Sequence, residues 1–69
     1  MQLSILVEKE EDDRWIAEVP ELPGVLVYGV TQSEAMAKAE VLALRVLAER
    51  IEQAESGPEP VQISFPVAA

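Results

Sequence analysis

The 69-residue chain contains no cysteine and no histidine, and it sets only five lysines and arginines against thirteen acids. Without cysteine there is neither a disulfide nor a thiolate metal site to supplement a small core. Without histidine the commonest general base and the commonest metal ligand are both missing. Ser4, Ser33, Ser56 and Ser64 therefore have no imidazole to activate them, and Lys9 and Lys38 sit in acidic sequence surroundings. Long apolar runs are missing too. Stretches such as Val25–Tyr28 and Val41–Leu44 fall far short of the ~20 residues a membrane-spanning helix needs. Met1–Val7 is short and is followed by acids rather than a small-residue cleavage site. The expectation is one soluble, cytoplasmic domain spanning residues 1–69, with no enzymatic activity, cofactor or metal.

What is present is acidity in a chain that is 49% hydrophobic and 26% charged. A formal net charge of −8 repels phosphate backbones, so direct nucleic-acid binding is not expected and a basic protein partner is favoured. Below about 70–80 residues a single core seldom supplies more than ~3–5 kcal/mol without a staple. Association with another chain is the remaining remedy, which predicts a homodimer or higher homo-oligomer.

Along the chain, Leu3, Ile5 and Val7 alternate as a strand with one covered face requires. Glu10-Glu11-Asp12-Asp13 reads as a polar turn, and Arg14–Val19 as a second strand with Trp15, Ala17 and Val19 on one face. Pro20-Glu21-Leu22-Pro23-Gly24 is a rigid corner, because proline fixes φ and glycine permits a positive one. Val25–Tyr28 restarts a strand, and Gly29 ends it. Thr31 and Glu34 have capping-box spacing. A helix is predicted from Gln32 to Glu55, stopped by Gly57, Pro58 and Pro60, followed by a short strand over Val61–Phe65.

At about 100° per residue, Glu34, Lys38, Arg45, Glu49, Glu52 and Glu55 form one polar stripe. Met36, Ala39, Ala43, Val46, Leu47, Ile51 and Ala54 lie opposite it as the expected core face. Ala37, Val41, Leu44 and Ala48 widen the apolar surface along one flank, and Leu42 along the other. A helix lying on a single sheet needs an apolar face only a little over ~100° wide. The excess marks Val41, Leu44 and Ala48 as a candidate oligomer interface.

From Ala17 to Ala43 the pattern resembles the HicB-like antitoxins. Ala17-Glu18-Val19-Pro20-Glu21-Leu22-Pro23-Gly24 is similar to that family's proline-glycine corner, and Gly29, Thr31, Glu34-Ala35-Met36 and Ala39 are similar to the segment that follows it. Lys38 stands where many relatives have asparagine, and Val30 where many have an acid. The resemblance implies an α+β fold of order β-β-β-α-β, similar to a pared-down ribonuclease H fold. Its four strands would be ordered 3-2-1-4, with the fourth parallel to the first and one helix on one face. Longer relatives carry a DNA-binding module after this domain; with only four residues after Phe65, that module and its DNA binding are not expected here. The function implied is binding and neutralising HicA, a small basic ribonuclease toxin. The alternative is a stand-alone structural or small-ligand-binding oligomer without a toxin.

Two acidic groups are candidate contacts for such a partner. The hairpin carboxylates Glu11, Asp12 and Asp13 can imitate phosphate toward a basic toxin, and the corner can present Glu21 and Leu22 at little entropic cost. The acidic turn lacks the register and glycine of a calcium loop. Nuclease chemistry would need carboxylates converging on two metal ions, for which only Glu8, Glu18 and Glu40 are on offer. Trp15 is expected in the core, with Tyr28 as an amphipathic anchor at the end of its strand.

Overall fold

The computed structural model describes residues 2–54 and the backbone of residues 62–63. The strands are β1 (Gln2–Leu3), β2 (Leu6–Lys9), β3 (Trp15–Glu18) and β4 (Leu26–Gly29). Helix α1 (Gln32–Gln53) follows, and β5 (Gln62–Ile63) comes last. The fold is α+β: β2, β3 and β4 form an antiparallel sheet in that order, with α1 packed on one face.

Each connection follows from local chemistry. In the β2–β3 hairpin, the Asp13 amide donates to the Glu10 carbonyl at 3.1 Å, and the Glu10 amide to the Arg14 carbonyl at 2.7 Å. Asp13 has φ 67, so a tight turn is followed by one left-handed residue, the usual three-residue-loop solution. Aspartate is among the few side chains that tolerate that conformation.

The corner between β3 and β4 is two successive turns. The Leu22 amide donates to the Val19 carbonyl at 3.0 Å, and the Val25 amide to the Leu22 carbonyl at 3.1 Å. Pro20 and Pro23 each occupy the second position of a turn, where their fixed φ fits. Gly24, at φ 94, takes the third position of the second turn, which a side chain would strain. Between the turns Leu22 is driven inward and is 1% exposed.

The first predicted strand, Gln2–Glu8, is interrupted. Ser4 donates its amide to Glu21 Oε1 at 3.1 Å and its hydroxyl to Glu21 Oε2 at 2.8 Å. An amide given to a side chain cannot serve a ladder, so β1 and β2 are separate. β1 pairs in parallel with β5, Gln2 opposite Gln62 and Leu3 opposite Ile63. The hydrogen bonds thus draw two ladders rather than one continuous four-stranded sheet. Helix α1 ends at Gln53, short of the predicted Glu55, with Ala54 extended as its cap and its amide donating to the Ile51 carbonyl at 3.2 Å. Gly57, Pro58, Pro60 and the remainder of the predicted last strand (Val61, Ser64, Phe65) lie outside the described residues.

The core joins Leu3, Ile5, Ala17, Val19, Leu22 and Val25 to Ala35, Ala39, Ala43 and Leu47 of α1. Small alanines at four-residue spacing let the helix lie close to the sheet. Gly29 takes this closeness furthest: a Cβ there would fall 2.5 Å from the Ala35 nitrogen. Thr31 caps the helix, its Oγ1 accepting the Glu34 amide at 3.1 Å. Ile51, expected on the core face, is exposed instead, whereas Ala35, absent from that expectation, is fully buried. The buried line Ala35, Ala39, Ala43 and Leu47 recurs every four residues and stops one step short of Ile51. Trp15 is half-buried against the core, with Lys9 Nζ 6.0 Å from its ring centre.

Candidate interaction surfaces

Strand pleating sends Leu6, Glu8, Ile16, Glu18, Leu26 and Tyr28 to the sheet face opposite the helix. The register sets Leu6 beside Glu18 and Glu18 beside Leu26, while Ile16 lies between Glu8 and Tyr28. Leu6, Glu18 and Leu26 thus alternate across the strands, while Ile16 and Tyr28 stand side by side. Leu6 is 54% exposed and Leu26 46%, with Tyr28 also exposed. Four of six strand positions being apolar is too many for an ordinary solvated face. An apolar patch with a charged rim is the usual form of a docking surface.

One end of that face is closed by Arg14, whose guanidinium lies 4.5 Å from the Tyr28 ring centre. Arg14 Nε also donates to Asp12 Oδ2 at 2.6 Å, and its amide to Asp12 Oδ1 at 3.2 Å. That amide bond is the main reason Asp12 stays ionised below its ordinary value, with the guanidinium adding to it. The sequence-predicted carboxylates Glu11, Asp12 and Asp13 are thus exposed beside this face but have unequal freedom. Asp12 is committed to Arg14. Asp13 supplies the left-handed turn residue and lies 3.6 Å from Lys9 Nζ.

The corner pair divides. Glu21 is exposed, but its carboxylate clamps Ser4, and the Ser4 amide holds its pKa below the ordinary value. Such a weakly basic carboxylate is a poor activator for the Ser4 hydroxyl, so the pair is a structural clamp. The expectation that Leu22 faces a partner is corrected: the two turns point it into the core. Nothing in short-range spacing announces the clamp, because Ser4 and Glu21 are 17 residues apart.

The back of α1 is a second surface. Val41 is 48% exposed and Leu44 45%, and Ala37, Ala48 and Ile51 are exposed with them. Beside it, Val27, Ala37, Lys38, Val41, Leu42 and Arg45 line an open groove of about 410 Å³. Lys38 spans the edge of β4, donating to the Tyr28 carbonyl at 3.3 Å and pairing with Glu34 at 3.0 Å. That ion pair is the main cause of the lowered pKa of Glu34. β4 ends the order β2-β3-β4 among the described residues, and a lysine at such an edge discourages strand addition there.

Among the described residues no cluster of three or more acidic side chains is placed to hold a metal ion. Among them, too, no helix is long and apolar enough to cross a membrane. Comparison with protein-family models, curated proteins and solved structures finds no match to this chain.

Proposed function

We propose that the chain is a non-catalytic, antitoxin-like module that covers and neutralises a small, basic, RNA-cleaving toxin of the HicA type. The reading includes a cytoplasmic location, self-association and no cofactor. It takes the two ladders as one sheet bent at Ser4, which gives strand order 3-2-1-4 in a reduced ribonuclease-H-like arrangement. The observation that carries it is the uncovered sheet face. Leu6, Ile16, Leu26 and Tyr28 offer apolar area, and Glu8 and Glu18 set negative charge among them. A partner suited to that face is basic with aliphatic contacts, and a net charge of −8 steers it in.

Exposure on the back of α1 favours a second reading, a stand-alone oligomeric module without a toxin. One experiment separates the two. The tagged chain is used to capture partners from native lysate, and each captured protein is assayed for RNA cleavage with and without the chain. A short basic ribonuclease that the chain inhibits supports the antitoxin reading. Its binding should weaken as salt rises and on Glu8→Lys with Glu18→Lys, variants that leave the hairpin turn and the corner clamp intact. If the only protein captured is the chain itself, the toxin reading is overturned.

A further inference from the structure

The exposed apolar residues of α1 are Ala37, Val41, Leu44, Ala48 and Ile51. Their successive spacings are four, three, four and three residues. That is a heptad seam, with Ala37, Leu44 and Ile51 at one core position and Val41 and Ala48 at the other. Ala37, Val41, Leu44 and Ala48 lie on a flank turned well away from the buried line Ala35, Ala39, Ala43 and Leu47, and Ile51 continues that flank one turn beyond Leu47. One 22-residue helix thus carries two apolar seams, and the sheet covers only one. An amphipathic helix on a single sheet has no use for the second.

We infer that the second seam is the contact between two copies of this chain, packed helix against helix, antiparallel, about a two-fold axis near Arg45–Leu47. Charge selects a second copy as the occupant. The full chain carries −8, but from Gln32 to Gln53 four carboxylates face three cations, a net of −1. The helix is therefore where two copies of so acidic a chain meet with least repulsion.

On the same flank Lys38 and Arg45 outnumber Glu34, which pairs with Lys38 at 3.0 Å, on the N-terminal side of that axis, while Glu49 and Glu52 lie on the C-terminal side. An antiparallel mate lays the net-positive stretch of this flank (Glu34, Lys38, Arg45) along the acidic stretch of the other (Glu49, Glu52), bringing Lys38 beside Glu52 of the second copy. The two Arg45 side chains meet near the axis, where Glu49, one turn along each helix, offsets their repulsion.

Side-chain volumes agree with this direction. In an antiparallel pair the two kinds of core position lie level with one another. Leu44 then packs against Ala48 of the second copy and Val41 against Ile51, which sets the longest side chain against the shortest at the central layers. A parallel pair would stack Ala on Ala at two levels and leave the helices separated by Leu44 between them.

This deepens the self-association included in the proposed function and is independent of any toxin, because it uses the helix and not the sheet face. The test uses the full chain. Sedimentation equilibrium of the wild type should show a dimer. Leu44→Glu should raise the dissociation constant roughly tenfold or more. Leu44 is 45% exposed, so the variant should keep the wild-type far-UV circular dichroism spectrum.

The absence of native cysteine permits a clean orientation test. Leu44→Cys and Ala48→Cys chains, mixed in a glutathione redox buffer, should form the mixed disulfide in preference to either homodisulfide. A monomeric wild type, a Leu44→Glu chain that dimerises like wild type, or a preferred Leu44→Cys homodisulfide each overturns the proposal. Failure to capture a basic ribonuclease leaves it standing.

Discussion

Leu22→Ala separates a core role from a partner-facing one. Leu22 is 1% exposed, and its site is walled by two turns whose shapes are fixed by Pro20, Pro23 and Gly24. Truncation removes buried carbon and leaves a hole that those turns resist filling. Leu→Ala substitutions in cores cost about 3–5 kcal/mol, the larger losses where the site relaxes least. The whole domain has on the order of 3–5 kcal/mol to lose, given its length. We therefore expect at least ~3 kcal/mol of destabilisation, which corresponds to a fall in Tm of roughly 12–24 °C for a domain of this size.

The assay is thermal and urea unfolding by far-UV circular dichroism, at fixed protein concentration because self-association shifts apparent stability. Leu22→Met conserves volume and should cost under about 1.5 kcal/mol. An alanine variant with an unchanged Tm but weakened partner binding would refute the assignment of Leu22 to the core.

Gly29→Ala should destabilise by about 1–3 kcal/mol, because its Cβ would meet the Ala35 backbone at 2.5 Å and 2.9 Å, contacts that no side-chain rotation relieves; urea titration reads the loss. Asp13→Gly should raise Tm by a few degrees, since Asp13 holds φ 67 at some cost, whereas Asp13→Val should lower it. Glu21 has its pKa lowered from 4.5 by the Ser4 amide, so its contribution is present above that value and fades as pH falls through the lower folded-state value. Glu21→Gln should therefore be less stable than wild type at neutral pH, and the gap should close in acid; a gap independent of pH would contradict the clamp.

Much of this molecule was legible before folding was considered. Proline at two turn positions with glycine at φ 94 dictates the corner, and Thr31 dictates where the helix starts, because these are contests among neighbouring atoms. Strand alternation likewise fixed which residues of β3 face the helix. The excess apolar width of α1 was visible from spacing alone, since a helix's angular period is a local property.

Three features were decided only by the tertiary structure. Ser4 leaves the ladder because Glu21, 17 residues away, outcompetes a neighbouring strand for its amide. Leu22 turns inward because two consecutive turns reverse the chain around it, so a loop position became core. Ile51, next after Leu47 in the four-residue series of buried positions, stays outside because the covered stretch ends at Leu47, a limit that the helix's own period does not set. Sequence period tells which side chains share a face; only the crossing of two elements decides how far along its length that face is covered.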